Sequence, residues 1–359
     1  MPESDLHAAA LAALTLLAVP RVGIRDWHRR VRESGNATLA VQELADSPHV
    51  DAARAEAEII VGNASRLGAH LIVHGSVGYP APLNDLTACD DPSIAPAPPV
   101  LFAFGNLELL ARPTVAIVGT RHATAAGLRA AERIAHDCAE AGALVISGLA
   151  RGIDAAAHTG ALRCNGSTAA IIGTGLDVAY PADHRGLQQQ IARDALVITE
   201  QPPGARATRG SFPERNRLIA ALAQLTIVVE AGHRSGALLT AHAAGSLNRA
   251  CAAAPGAFDS AASLGSNQLL RDGAQVIASV DDALALLDLA RADDAHAIAP
   301  HSLTAAERAI WDVLGNAPLN LDVVVDRSGW AADACLAAVT TLELKGLVRS
   351  TFAGALHRA

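Results

Sequence analysis

Between residues 113 and 288 the chain repeats one rhythm: a short apolar run, a glycine or an acid, then a helix-length segment. The runs TVAIVG, ALVISG, TAAIIG, ALVITE and LTIVVE are rich in β-branched residues, and RACAAAPG continues the series. Near-continuous apolar strands separated by helices predict a parallel sheet covered on both faces, because each strand must be buried above and below. This stretch therefore predicts a doubly wound α/β domain.

The pattern changes on either side. Residues 6–67 carry apolar positions at helical spacing, broken at VPRVG (19–23) and ESGN (33–36), which predicts a small helical, SAM-like domain over 1–67. From LIVHGSVGYP to PPVLFAF two extended apolar runs flank a proline-rich connector, as in edge strands or a linker packed onto the α/β region. The two join as one domain over 68–290. After an Ala/Asp/His-rich connector (291–300), LTAAERAIWDVLG opens with Thr304 and Glu307 at capping-box spacing. Two helices and two short strands complete a winged helix over 300–359.

Composition narrows the function. With 359 residues, 51% hydrophobic and 18% charged, the chain has the make-up of a folded multidomain protein. Its net charge of −8 argues against wholesale attraction to polyanions, so a nucleic-acid site has to be local. The five cysteines lie far apart with no CxxC spacing, which fits neither a metal site nor a disulfide framework and points to a reducing, cytoplasmic setting. The run AAALAALTLLAVP (8–20) follows Glu3 and Asp5 where a signal peptide needs positive charge, and it is too short to span a bilayer. No membrane partner is expected.

In an open α/β sheet ligands bind beyond the carboxyl ends of the strands. The loops there are GTRHATAAG with Gly119, Thr120 and Arg121; SGLARGID with Gly148, Arg151 and Asp154; GTGLDVAYP with Gly173, Gly175 and Asp177; and EAGHRSGALLT with Ser235 and Gly236. A backbone turn and a guanidinium beside the next helix start make an anion site of the first loop. Asp154 and Asp177 read as loop braces or caps. On the same rim QPPGARATRGSFPERNRLIA (201–220) sets Arg206, Arg209, Arg215 and Arg217 against Glu214, a net of +3. Arginines interleaved with one ring suit a single strand: cations follow phosphates and Phe212 stacks on a base. The alternative is that Phe212 staples the helix beginning near Pro213. G-x-G-x-x-G is missing after the first strand, the Walker pattern is missing, and no nucleophile elbow or H-E-x-x-H is present. Neither cofactor, metal nor catalytic residue is expected.

With VAIVGTR, VISGLARGIDAAAH, AIIGTGLDVAYP, FPERNRLIA, SGALLTA, the PG of 255–256 and GSNQLLRDGA in this order, the chain closely resembles the DNA-processing protein A family (DprA, also called Smf). That resemblance implies a protein that binds and protects single-stranded DNA, helps load the RecA recombinase in natural transformation and recombination, and forms a homodimer through its Rossmann-like domain. It implies DNA contacts at Arg121, at the Gly173 and Gly175 backbone, and at Phe212, Arg215 and Asn216. A basic residue usually follows the YP of the third loop; here the chain reads YPADHRGLQ, and His184 or Arg185 stands in for it. The winged helix carries five basic and six acidic side chains over 301–359, which suits a partner or dimer surface better than a duplex reader. The competing reading is a nucleotide-binding enzyme such as a nucleoside-monophosphate phosphoribohydrolase, whose P-G-G-x-G-T-x-x-E pattern this chain lacks.

Overall fold

The computed structural model describes residues 3–164, 167–208, 210–290, 303–314, 319–345, 347–350 and 355–358. Two compact units divide the chain, residues 1–289 and 290–359. The first opens with helices α1 (Glu3–Ala18), α2 (Ile24–Ser34), α3 (Ala37–Gln42) and α4 (Val50–Leu67), strand β1 (His70–Val73), the single turn α5 (Asp85–Ala88) and β2 (Val100–Gly105). Strand and helix then alternate: β3 (Thr114–Val118), α6 (Ala125–Glu140), β4 (Leu144–Ser147), α7 (Ile153–Leu162), β5 (Thr168–Ile171), α8 (Arg185–Asp194), β6 (Leu196–Thr199), α9 (Ser211–Leu222) and β7 (Leu225–Val228). The unit closes with α10 (Ala237–Ser246), β8 (Ala250–Ala253), α11 (Leu264–Arg271), β9 (Gln275–Val276) and α12 (Val280–Leu286).

The nine strands form one sheet in the order β1-β2-β6-β5-β4-β3-β7-β8-β9. From β6 to β9 the pairing is parallel, and β2 pairs antiparallel with both β1 and β6. Of the two strands expected at an edge, β1 is one, while β2 lies inside the sheet. The pleat divides the apolar residues between two cores. Val115 and Ile117 of β3 face α6, α7 and α12, whereas Ala116 and Val118 face the core shared with α9, α10 and the amino-terminal helices. Helices α1 to α4 thus share a core with the sheet, and Trp27 of α2 is buried there, donating to Ala13 O at 3.1 Å.

The second unit contains α13 (Ala305–Val313), β10 (Leu319–Asn320), α14 (Leu321–Ser328), α15 (Ala332–Leu344), β11 (Val348–Ser350) and β12 (Ala355–Arg358), with its strands in the order β10-β12-β11. This is the expected winged helix. The capping box closes: Glu307 Oε2 accepts from Thr304 N at 2.8 Å, and Thr304 Oγ1 accepts from Glu307 N at 3.3 Å.

Candidate nucleic-acid interface

Strand order reverses at β3, which has β4 on one side and β7 on the other. A reversal forces the helices that follow those strands onto opposite faces and opens a crevice at their carboxyl ends. A cleft of about 630 Å³ occupies this position, lined among others by Gly119, Thr120, Arg121, Tyr180, Phe212 and Asn216. The loops beneath it pack closely. Gly152 has φ 77°, and a side chain there would run into Thr120 O and the Arg121 backbone, so the turn after β4 seats directly against the turn after β3.

Exposed Arg121 places its guanidinium carbon 5.6 Å from the centre of the Phe212 ring. Tyr180, 42% exposed, tilts against the same ring at 4.8 Å and 38°. A cation and two aromatic faces therefore stand together at the cleft. Helix α9 starts at Ser211, so Phe212 lies within its first turn. A hydrophobic staple needs a residue outside the helix, ahead of the cap, and Phe212 does not occupy that position. The ring rests on Gly173, where an added Cβ would come within 3.3 Å of Phe212 Cδ1.

Glu230, just beyond β7, holds the start of α6. It accepts from Thr124 N at 2.9 Å and from Thr124 Oγ1 at 2.5 Å, and its backbone oxygen accepts from Thr120 N at 2.7 Å. A carboxylate of the chain thus fills the position where a Rossmann-type helix start would receive a phosphate. The expected pairing of helix amides with Arg121 is corrected accordingly: Arg121 provides the charge, while Glu230 engages the start of α6.

The arginines of α9 also differ from expectation. Arg215 is 4% exposed and donates to Gly148 O at 2.5 Å and to Ile171 O, with its Nε unpartnered. Burial lowers its pKa to about 10, opposed by Asp154 and aided by Arg121. Burial likewise pushes the Asp154 carboxyl above its ordinary value, against the pull of Arg215 and of the amides it accepts from, such as Ala150 N. Arg217, also 4% exposed, pairs with Glu200 at 2.7 Å and donates to Ala95 O and Pro96 O, which fastens α9 to the connector before β2. A solvated phosphate ladder needs free guanidinium groups; Arg217 has none to offer, and Arg215 reaches the cleft only from its floor.

Ser235 and Gly236 line the cleft, and Asn216 donates to Gly236 O at 3.2 Å. The remaining expected residues stand apart from it. Gly148 lies against the Arg215 guanidinium, with no room for a side chain. Gly175 is buried and its N–H is given to Ala205 O at 2.9 Å, so that backbone is not open to a ligand. His184 bonds Leu149 O through Nδ1 at 2.9 Å, and Arg185 lines a separate groove with Asp177 and Gln188. Arg151 is exposed and paired with Asp183. Arg209 lies outside the described residues. Sequence reasoning passed over two participants. Tyr180 was signalled only by the AYP ahead of the third helix, and Glu230 meets Thr124 across 106 positions, which local patterns cannot show.

A family model described as DNA recombination-mediator protein A matches residues 70–288, and one described as the DprA winged helix domain matches 294–352. The chain belongs to the DprA family. Its relatives include a DNA processing protein DprA of Mycobacterium tuberculosis, 41% identical over 258 residues, 70% of this chain and 66% of that protein. Among solved structures, DprA from Streptococcus pneumoniae superposes with a TM-score of 0.64 at 31% identity, covering 78% of this chain and 97% of that one. The Helicobacter pylori DprA, whose structure was described for its mode of binding single-stranded DNA, gives 0.54 at 28% identity over 62% and 97%. The DprA family acts in DNA processing and recombination, and its winged helix is the fold of the second unit. Among the described residues no helix is long and apolar enough to cross a membrane.

Proposed function

We propose that the carboxyl rim of the Rossmann-like sheet holds single-stranded DNA, with Arg121 on a phosphate and Phe212 and Tyr180 against bases, and that the protein works by binding rather than by bond chemistry. The observation that carries this reading is the exposed Arg121 over the Phe212 ring, with Tyr180 alongside, at the strand-order reversal. Stacking tolerates any base, and a paired duplex hides the faces it needs. Within the family reading, the protein delivers its strand to RecA during recombination and natural transformation, acting as a homodimer in the cytoplasm. Ser235, Gly236 and Asn216 form the far wall of the path.

The enzyme alternative is disfavoured by Glu230. A nucleoside monophosphate would bring its phosphate to the start of α6, where Glu230 already bonds Thr124, and like charges there repel. A gel-shift titration with equal lengths of single-stranded and duplex DNA tests the reading, with nucleoside monophosphates as competitors. Preferential retention of the single strand, undisturbed by the mononucleotide, is the expected result. Equal affinity for duplex, or displacement by the mononucleotide, would sink it.

A further inference from the structure

Most carboxylates around the rim brace the fold. Glu230 holds Thr124, Asp177 accepts from Gly204 N at 2.7 Å, Asp154 accepts from Ala150 N, and Glu200 pairs with Arg217. Asp183 differs. Its side chain is 71% exposed, and its partner among the described residues is Arg151, itself 60% exposed. The pair spans two loops of the rim, the turn after β4 and the 3-10 turn Ala182–His184 that follows Pro181. The bond from His184 to Leu149 O joins the same two loops. Ala150 next to Arg151, and Tyr180 three residues before Asp183, both line the cleft. The ion pair therefore joins two loops that border the cleft, although neither partner lines it.

An exposed ion pair contributes little to stability, so parting it costs little. It also has no net charge, and a neutral pair attracts a polyanion no better than an uncharged surface. We propose that Asp183 is a built-in competitor for phosphate: Arg151 exchanges between the Asp183 carboxylate and a phosphodiester of the bound strand, so the rim binds more weakly and with less salt dependence than its arginines would allow. This rests on reading the rim as a single-strand site. In the sequence Asp183 falls within YPADHRGLQ, the segment where the family usually has a basic residue, so the departure from the family pattern becomes a change in how the strand is held.

The test uses the whole chain and a short oligothymidylate titrated over a salt series. Asp183→Asn should bind roughly two- to fivefold more tightly, the fold-change an exposed ion pair is worth. Its slope of log affinity against log salt should steepen by about 0.7, one more phosphate neutralised. Arg151→Ala removes the exchanging cation and leaves Asp183 unpaired, so it should weaken binding in the wild-type background. In Asp183→Asn it should cancel both gains so that the double variant binds like wild type, a coupling that independent sites do not show. Asp85→Asn removes the same charge from a comparable pair with Arg249, which immediately precedes β8 at the opposite end of the strands, and should leave affinity and slope as they were. Unchanged binding by Asp183→Asn, or a gain that persists without Arg151, overturns the inference alone. A wild-type protein that retains no oligonucleotide overturns the reading of the rim as well.

Discussion

The cleft at the sheet's carboxyl rim and the exposed face of α15 in the winged helix are the two regions where a DNA-binding protein of this architecture could hold its ligand, and they are built differently. At the rim an exposed cation lies over an aromatic pair. On α15 the exposed positions are Ala332, Asp333, Leu336, Ala337, Thr340, Thr341 and Leu344, with Leu344 85% exposed, and the adjoining Lys345 is tied to Glu307 at 2.8 Å. A helix that enters a groove needs free cations for phosphates and polar side chains for base edges. Phosphate binding follows where a cation is free, which a count of charges does not reveal.

The sharpest way to break that contrast is within α9, where Arg215 is charged without being free. Arg215→Ala leaves the buried Asp154 without its compensating charge and should destabilise the protein by about 3–5 kcal/mol, read as a drop in chemical-denaturation midpoint. A variant as stable as wild type would show that Arg215 is a surface ligand after all. Arg121→Glu sharpens the other side: single-strand affinity should fall roughly 10- to 100-fold, the worth of a charge-assisted bond and its reversal, while the melting temperature stays near wild type. Phe212→Ala should weaken binding by about 1–3 kcal/mol, one base–aromatic stack, without altering the salt slope. If it lowered the melting temperature sharply and spared affinity, the ring would be packing rather than platform.

Stability should also depend on pH. His158 is fully buried on α7, and burial lowers its pKa from 6.5 to about 3. The unfolded chain therefore takes up a proton that the folded chain refuses, so stability is complete above about pH 6.5 and falls by about 1.4 kcal/mol per pH unit below it, down to the folded value. Burial lowers the pKa of His74 to about 4 as well and adds its own share. Denaturation curves from pH 7 to pH 4 should therefore fall at least this steeply, and His158→Asn should lessen the slope by about 1.4 kcal/mol per pH unit.

Legibility followed the range of the cause. The strands were legible because burial on both faces leaves an unbroken apolar run, and the start of α13 because Thr304 and Glu307 lie three residues apart. Arg215 and Arg217 misled because charge in a sequence suggests exposure, whereas the carbonyls and carboxylates that bury them come from distant segments, Gly148, Ile171, Glu200 and residues 95–96. Glu230 escaped for the same reason. The loops of the rim were legible because each directly follows an apolar strand, and the position of Arg121 because it follows β3; the partner that covers Arg151 was not.

On the function proposed above, exposed cations at the rim, and not the winged helix, hold the strand. Binding of oligothymidylate across a salt series, by the whole chain and by a form truncated after Leu289, tests it most directly. Each phosphate held by a free cation steepens the slope of log affinity against log salt by about 0.7, so both forms should give the same negative slope. An affinity indifferent to salt, or one lost on truncation while the remaining unit stays folded, would contradict the account.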